Sequence, residues 1–343
     1  MKIMNVRNII LLLLSAAFMA CGDNKPSGQD GGNGVYYWRT TFETNSAERA
    51  FMRENDIRRA YVRFFDVVID KSPLAMDVVV PNATLQIKDS IPAEEIVPVV
   101  YITVDAIKAI QSDEAKWAEK IVRRVWNMCS YNELGSPKEL QLDCDWTSQT
   151  GSAFFKLCKA VKQELSLRDA AAKLSATIRL HQLAQTPPPV DRGVLMVYNT
   201  GSFRNPEETN SILTVESVRP YLKHLADYPL PLDYAFPIFS WKLLYTENTF
   251  RGIISPEVNI PDDVLSPSGE NRFTVVKDTV IGSTCLLTDD MIRAEDVPFR
   301  TIKEVKSLIE KASDSAPRSI ILYSLDTRNF SNYTEDEIKQ IYK

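Results

Sequence analysis

Glu139-Leu-Gln-Leu-Asp-Cys-Asp-Trp-Thr147 alternates strictly, with Leu140, Leu142 and Cys144 on one side and Gln141, Asp143 and Asp145 on the other. A period of two is the signature of a β-strand. In a half-exposed strand the polar side would simply meet water. Here it carries two aspartates and a glutamine and runs straight into Trp146. In a (β/α)8 barrel one strand face meets the helices, the other fills the barrel, and the C-terminal strand ends carry the chemistry. Two carboxylates at successive inward positions, with Cα atoms about 6.8 Å apart at strand rise, would sit at the mouth of such a barrel. The alternative is a strand end whose acids cap a helix or pair with nearby arginines.

Outward from this stretch, strand-like and helix-like segments alternate. Residues 35–42 and 58–67 read as the first two strands, the second with Tyr61, Arg63 and Phe65 on one face. Asn45 or Ser46 supplies a cap for the helix between them. Residues 96–103 are a fully apolar third strand, as a sheet covered on both faces requires. Residues 115–128 place Trp117, Ile121, Val125 and Met128 at helical spacing, a core-facing stripe. Downstream, a helix over 152–165 precedes a fifth strand at 174–183, where Ser175, Thr177, Arg179 and His181 share a face. A sixth strand at 193–199, a helix at 217–225 and a seventh strand at 232–241 follow. Apolar runs within 242–299 look like hairpins; a helix at 301–311 and an eighth strand at 318–326 close the pattern. The expected fold is therefore α/β, a TIM-type (β/α)8 barrel over residues 35–343 with a β-hairpin-rich insertion at about 242–299 between strands seven and eight. An open doubly wound sheet is the rival. It lacks support because no Gly-rich phosphate loop follows the first strand and the chain has only 12 glycines.

The 343 residues are 44% apolar and 25% charged, an ordinary globular composition. Lys2 and Arg7 precede an apolar run over 9–19 that is short for a membrane span, so residues 1–20 read as a secretory signal peptide. Taking Lys2 and Arg7 from the 40 basic residues leaves 38 against 45 acidic ones, a net charge of −7. With no basic stripe interleaved with aromatics, a nucleic-acid partner is not expected. Residues 21–34 are glycine-rich and polar, a flexible tether. Cys129, Cys144, Cys158 and Cys285 lack metal-ligand spacing and only His181 and His224 offer imidazoles, so no metal is expected, and no cofactor. A Cys129–Cys158 disulfide and buried free thiols both remain open.

Three segments resemble known patterns. Phe18-Met-Ala-Cys21 resembles a bacterial lipobox, which implies cleavage before Cys21, lipidation of its thiol, and attachment in the cell envelope, at the outer membrane, through the lipid alone. Asp143-Cys-Asp-Trp-Thr147 resembles the Asp-x-Asp-x-Glu strand of family 18 glycoside hydrolases, the chitinase-like barrels, and Met196-Val-Tyr-Asn199 is similar to that family's Met-x-Tyr-Asp. Trp241 would be an aromatic floor for a sugar ring. The order of segments over residues 35–326 also resembles an uncharacterised bacterial barrel lipoprotein family known only as a domain of unknown function. The departures are Thr147, where the family 18 general acid is a glutamate, and Asn199, where that family has aspartate. Threonine cannot protonate a leaving glycosidic oxygen, so the family mechanism does not carry over intact.

The resemblance implies an exported lipoprotein acting on an oligo- or polysaccharide, in one of two ways. As a glycoside hydrolase it would use Asp145 as acid or base and Asp143 as its electrostatic partner, since glycosidases work with two carboxyls of opposite protonation. Arg63, Arg179 and His181 would line the pocket, and Tyr198, Asn199 and Trp241 would contact substrate. As a non-catalytic glycan-binding barrel it would keep the groove without the acid, which Thr147 favours. A second carboxylate across the mouth, such as Asp66, Asp105, Glu257 or Asp326, within about 5–9.5 Å of Asp145 would favour hydrolysis. Aromatics alone favour binding, and salt bridges saturating both aspartates would favour a structural barrel with no small ligand.

Overall fold

The computed structural model describes residues 32–72, 78–313, 317 and 319–343. The expected Cys21 lipidation site and most of the tether lie outside them. Eight parallel strands form the barrel: β1 (Asn33–Tyr37), β2 (Ile57–Asp70), β3 (Glu95–Ile102), β4 (Glu139–Asp143), β5 (Lys173–Arg179), β6 (Arg192–Met196), β7 (Leu232–Pro237) and β8 (Ile320–Tyr323). Sequential strands are neighbours in the sheet. Val35 of β1 lies opposite both Ala60 of β2 and Leu322 of β8, which closes the ring. This is the TIM-type (β/α)8 architecture. β1 begins two residues before the expected boundary, and its Gly34 is needed there: a Cβ would lie 3.0 Å from Ile321 and 3.3 Å from Tyr61.

Amphipathic helices cover the outside: α1 (Ser46–Glu54), α2 (Glu114–Tyr131), α3 (Gly151–Arg168), α4 (Phe299–Ala312) and α5 (Glu335–Tyr342). Asn45 starts α1 with a capping box, its side chain accepting from the Glu48 N–H while the Glu48 carboxylate accepts from the Asn45 N–H. On α2, Ile121, Val122, Val125 and Cys129 are buried against the sheet, with Trp117 and Met128 packed at the edge. The connection from β6 to β7 is broken into short turns, Val215–Val218 and Arg219–His224, rather than the single helix expected. Pro220 lacks the N–H and crowds the preceding carbonyl, which ends an α-helix. All four described cysteines are free thiols; Cys129, Cys144 and Cys158 are buried and Cys285 is exposed. Burial pushes the Cys129 thiol up to about 12.

The insertion after β7 is a five-stranded antiparallel sheet ordered Thr249–Ile254, Trp241–Thr246, Met291–Glu295, Arg272–Val275, Leu265–Gly269. A separate hairpin pairs Thr279–Ile281 with Thr284–Leu286. Ile254, Val264, Val275, Leu286 and Ile292 give this unit its own small core.

The lower barrel interior is ionic. Arg192 of β6 bridges the Glu139 carboxylate of β4 (2.5 Å) and Asp233 of β7 (3.0 Å), and donates to the Tyr61 hydroxyl of β2 (3.0 Å). Arg59 of β2 pairs with Glu95 of β3 (3.0 Å) and approaches Glu139 (3.9 Å). Above this layer Tyr36 donates to Gln141 (2.7 Å), which donates to Ser175 (3.3 Å). β4 thus turns Glu139, Gln141 and Asp143 into the barrel, as the alternation requires.

Candidate functional site

A cleft of about 550 Å³ opens above the C-terminal ends of the strands, the place where barrels of this kind carry chemistry. Its wall is aromatic. Tyr323, the last residue of β8, stacks on Tyr198 at 4.9 Å and 29°, and meets Trp38 at 5.8 Å and Phe239 at 5.7 Å. Phe239 continues to Trp241 at 5.4 Å, edge to face. Offset rings of this kind present flat apolar faces and polar tips together.

The charged groups of the cleft come in pairs. Asp143, at the end of β4, is buried, and its Oδ1 accepts from Thr177 Oγ1 (2.5 Å) and from the Arg179 guanidinium (3.3 Å), both on β5. Burial works against the Arg179 charge, but Asp143, Tyr198 and Asp145 around it hold its pKa above the ordinary arginine value. Asp326, just past β8, binds Arg328 through Nη2 (2.7 Å) and Nε (3.0 Å). Burial opposes ionisation of Asp326, yet the hydrogen bonds from the Arg328 side chain and backbone win and hold it below the usual carboxylate range. Arg63 lines the cleft but spends its charge on Asp66. An irregularity in the β2–β3 register between Arg63 and Phe65 brings the two onto one side, although three residues apart on a regular strand they would face oppositely. The same shift puts Phe65 on the outer face against Arg124 of α2, rather than beside Arg63 as the alternation suggests.

Tyr198 supplies the unpaired group. It is 6% exposed, lines the cleft, and its hydroxyl is out of solvent contact with no hydrogen-bond partner among the described residues. Burial, reinforced by Tyr323, pushes the phenol well above its ordinary value, so the hydroxyl keeps its proton as a donor. Asn199 follows with φ +53°, a left-handed conformation that asparagine tolerates, and also lines the cleft.

The structure therefore brings together Arg63, Asp143, Arg179, Tyr198, Asn199 and Trp241. Asp145 and His181 stand apart from that lining. β4 ends at Asp143; the backbone then turns toward α3, leaving Asp145 56% exposed, 3.9 Å from both Arg179 Nε and His181 Nε2. β5 ends at Arg179, and His181 lies on a 3-10 turn, Leu180–Ala184, not on the strand. Gln182 causes this: fully buried, it accepts from the Arg179 N–H (2.8 Å) and donates to the Trp146 carbonyl (2.9 Å), which fastens the turn to the β4 loop. Trp241 opens the insertion sheet instead of ending β7, with its Nε1 donating to Glu295 (2.7 Å). Thr147 is exposed and its N–H donates to Thr150 Oγ1 (3.0 Å) at the start of α3. Tyr323, Phe239 and Trp38 went unread as site residues. A signal for Tyr323 was present, since Ile321 and Tyr323 alternate inward on β8 as Gln141 and Asp143 do on β4.

No family model matches the sequence, and no curated protein is similar to it. Solved structures are. The Bacillus cereus spore cortex-lytic enzyme SleL superposes with TM-score 0.52 at 13% identity, over 90% of this chain and 74% of that one. The GH18 chitinase ChiB from the chitin utilization locus of Flavobacterium johnsoniae gives TM-score 0.52 at 10% identity, over 91% and 93%. A mutant of the Ostrinia furnacalis group II chitinase catalytic domain 2, bound to an N-acetylglucosamine oligomer, gives 0.50 at 12%, over 91% and 95%. At these identities the likeness is one of fold: this chain shares the (β/α)8 barrel of these proteins, at a distance.

Proposed function

We propose that the cleft binds an oligosaccharide and does not hydrolyse it. The observation that carries the reading is the Tyr198 hydroxyl, a buried, protonated donor in the cleft wall with nothing to donate to among the described residues. Leaving such a group unpaired costs about 1–3 kcal/mol, a penalty that a sugar hydroxyl or amide carbonyl seated on the aromatic wall removes. The ring faces of Tyr323, Phe239 and Trp241 suit the apolar faces of pyranoses. Hydrolysis needs one carboxyl as proton donor and another as base or nucleophile. The carboxylates of this cleft are Asp143 and Asp326, and each already accepts from a guanidinium. Thr147, where the family acid would be, points its hydroxyl at Thr150.

The presence of both Asp143 and Asp326 in the cleft supports hydrolysis as the second reading. One experiment separates them: titration of N-acetylchitooligosaccharides, the ligand class of the insect barrel, and of a wider glycan panel, followed by product analysis after prolonged incubation. The expected result is saturable binding without new reducing ends, weakened at least about tenfold, or 1.4 kcal/mol, by Tyr198→Phe. Turnover abolished by Asp143→Asn would replace this reading with hydrolysis, and binding to no glycan would remove both.

We further propose that the chain is a lipoprotein anchored through Cys21 in a bacterial cell envelope, supported by the apolar run over 9–19 and the small Ala20 before Cys21. Cys21→Ala should release the folded barrel from the membrane fraction; unchanged fractionation would refute the anchor.

A further inference from the structure

A second and larger concavity, about 720 Å³, lies outside the barrel between α2 and the outer face of β2. Its floor is apolar, built from Phe65, Val67, Leu85 and Ile121, all buried at 5% exposure or less, with Trp117 at the side. Its rim is cationic. Lys120, Arg123 and Arg124 of α2 line it, and among the described residues no aspartate or glutamate does. Arg123 is neutralised by Glu119 one turn earlier. Lys120 and Arg124 are not: among the described residues no carboxylate lies within ion-pair distance of either. The Lys120 ammonium sits 4.3 Å from the centre of the Trp117 ring, and the Arg124 guanidinium 5.1 Å from that of Phe65 while donating to Thr84 Oγ1 (2.9 Å). Aromatic faces hold these cations in place without cancelling their charge. At i and i+4 on one helix the two are neighbours on the same face.

We propose that this groove binds a single-chain carboxylate amphiphile of the fatty-acid class, the alkyl chain on the Phe65–Leu85–Ile121 floor and the carboxylate between Lys120 and Arg124. A neutral lipid would leave both cations uncompensated, and a simple anion would leave the floor bare. Only a ligand with one apolar end and one anionic end answers both halves. The site is independent of the cleft and of any reading of it.

The test is calorimetric titration of the full barrel with decanoate, methyl decanoate and acetate, with Trp117 fluorescence as a second readout. Decanoate should bind saturably, methyl decanoate at least about tenfold more weakly, and acetate not at all. Lys120→Glu and Arg124→Gln should each weaken decanoate binding about tenfold or more, the equivalent of 1.4 kcal/mol, with unchanged melting temperatures. Arg124→Lys, which keeps the charge, should retain most of the affinity and guards against a packing artefact at Arg124. Equal binding of the ester and the acid, or affinities untouched by the charge variants, would overturn the proposal. So would light scattering that shows the free barrel pairing through this face, since the groove would then be an interface between copies.

Discussion

Asp143 and Asp145 are two residues apart and occupy different surroundings, one buried on an arginine and a threonine, the other largely in water. Their substitution should therefore separate. Asp143→Asn removes the nearest anion from Arg179 and should cost about 2–3 kcal/mol, below the usual range for a broken buried pair because Arg179 keeps 22% of its side chain in solvent. Asp145→Asn should change stability by no more than about 0.5 kcal/mol, as exposed pairs do. Denaturant unfolding of both variants checks the contrast; equal losses would mean that Asp145 is as embedded as Asp143. Tyr198→Phe deletes an unpartnered buried hydroxyl, so the free protein should be as stable as the parent or up to about 1 kcal/mol more stable, while glycan affinity falls. A melting temperature that drops would mean the hydroxyl already has a partner. Asp326 gives the pH dependence. Its folded pKa is depressed, so its contribution to stability is complete above the unfolded-chain value of about 4 and disappears as pH falls through the lower folded value. The stability gap between the parent and Asp326→Asn should accordingly close on acidification; a gap that widens would reverse the sign.

Elements were legible in proportion to how well one period described them. β4 sits within its alternating stretch, β6 within a few residues of the expected 193–199, and α2 and α3 follow their apolar stripes, because period and apolar run alone decide such segments. What stayed hidden were the ends, and the ends hold the site. Alternation extended past Arg179 makes His181 inward; only the buried Gln182, tied at once to the end of β5 and to the loop after β4, converts that continuation into a turn. Likewise nothing in the run from Leu232 to Trp241 marks where β7 stops and the insertion starts, since both are β-rich, so Trp241 was placed on the wrong element. The Arg63–Asp66 pair depends on a register shift that no periodicity announces. Gln182→Ala should cost about 2–3 kcal/mol by leaving the Arg179 N–H and the Trp146 carbonyl unpaired. It should also speed amide exchange at Arg179 before it does so elsewhere in β5, a local effect that a general loss of packing would not produce.

At the scale of the whole barrel, Arg192 joins β2, β4, β6 and β7 through one guanidinium. Arg192→Met should cost about 3–5 kcal/mol, because Glu139 and Asp233 would both lose the guanidinium they share in the middle of the layer. Adding Glu139→Gln should recover part of that loss, a non-additivity that a double-mutant cycle measures directly; strictly additive losses would mean that the two side chains do not act as a unit. The layer also bears on how the chain finds its alignment. A barrel whose strands were merely greasy inside could slip by a residue and still look acceptable, because valine and leucine on either face are nearly interchangeable. Slide β4 by one position here, and Glu139 and Asp143 swing toward the helices while Leu140 and Leu142 arrive opposite Arg192 and Arg179, each of which loses its nearest carboxylate. The ionic layer is thus a proofreader of assembly: out of many near-isoenergetic hydrophobic alignments it favours the one that seats each buried guanidinium on its carboxylate, and the cleft at the barrel mouth inherits its geometry from that choice.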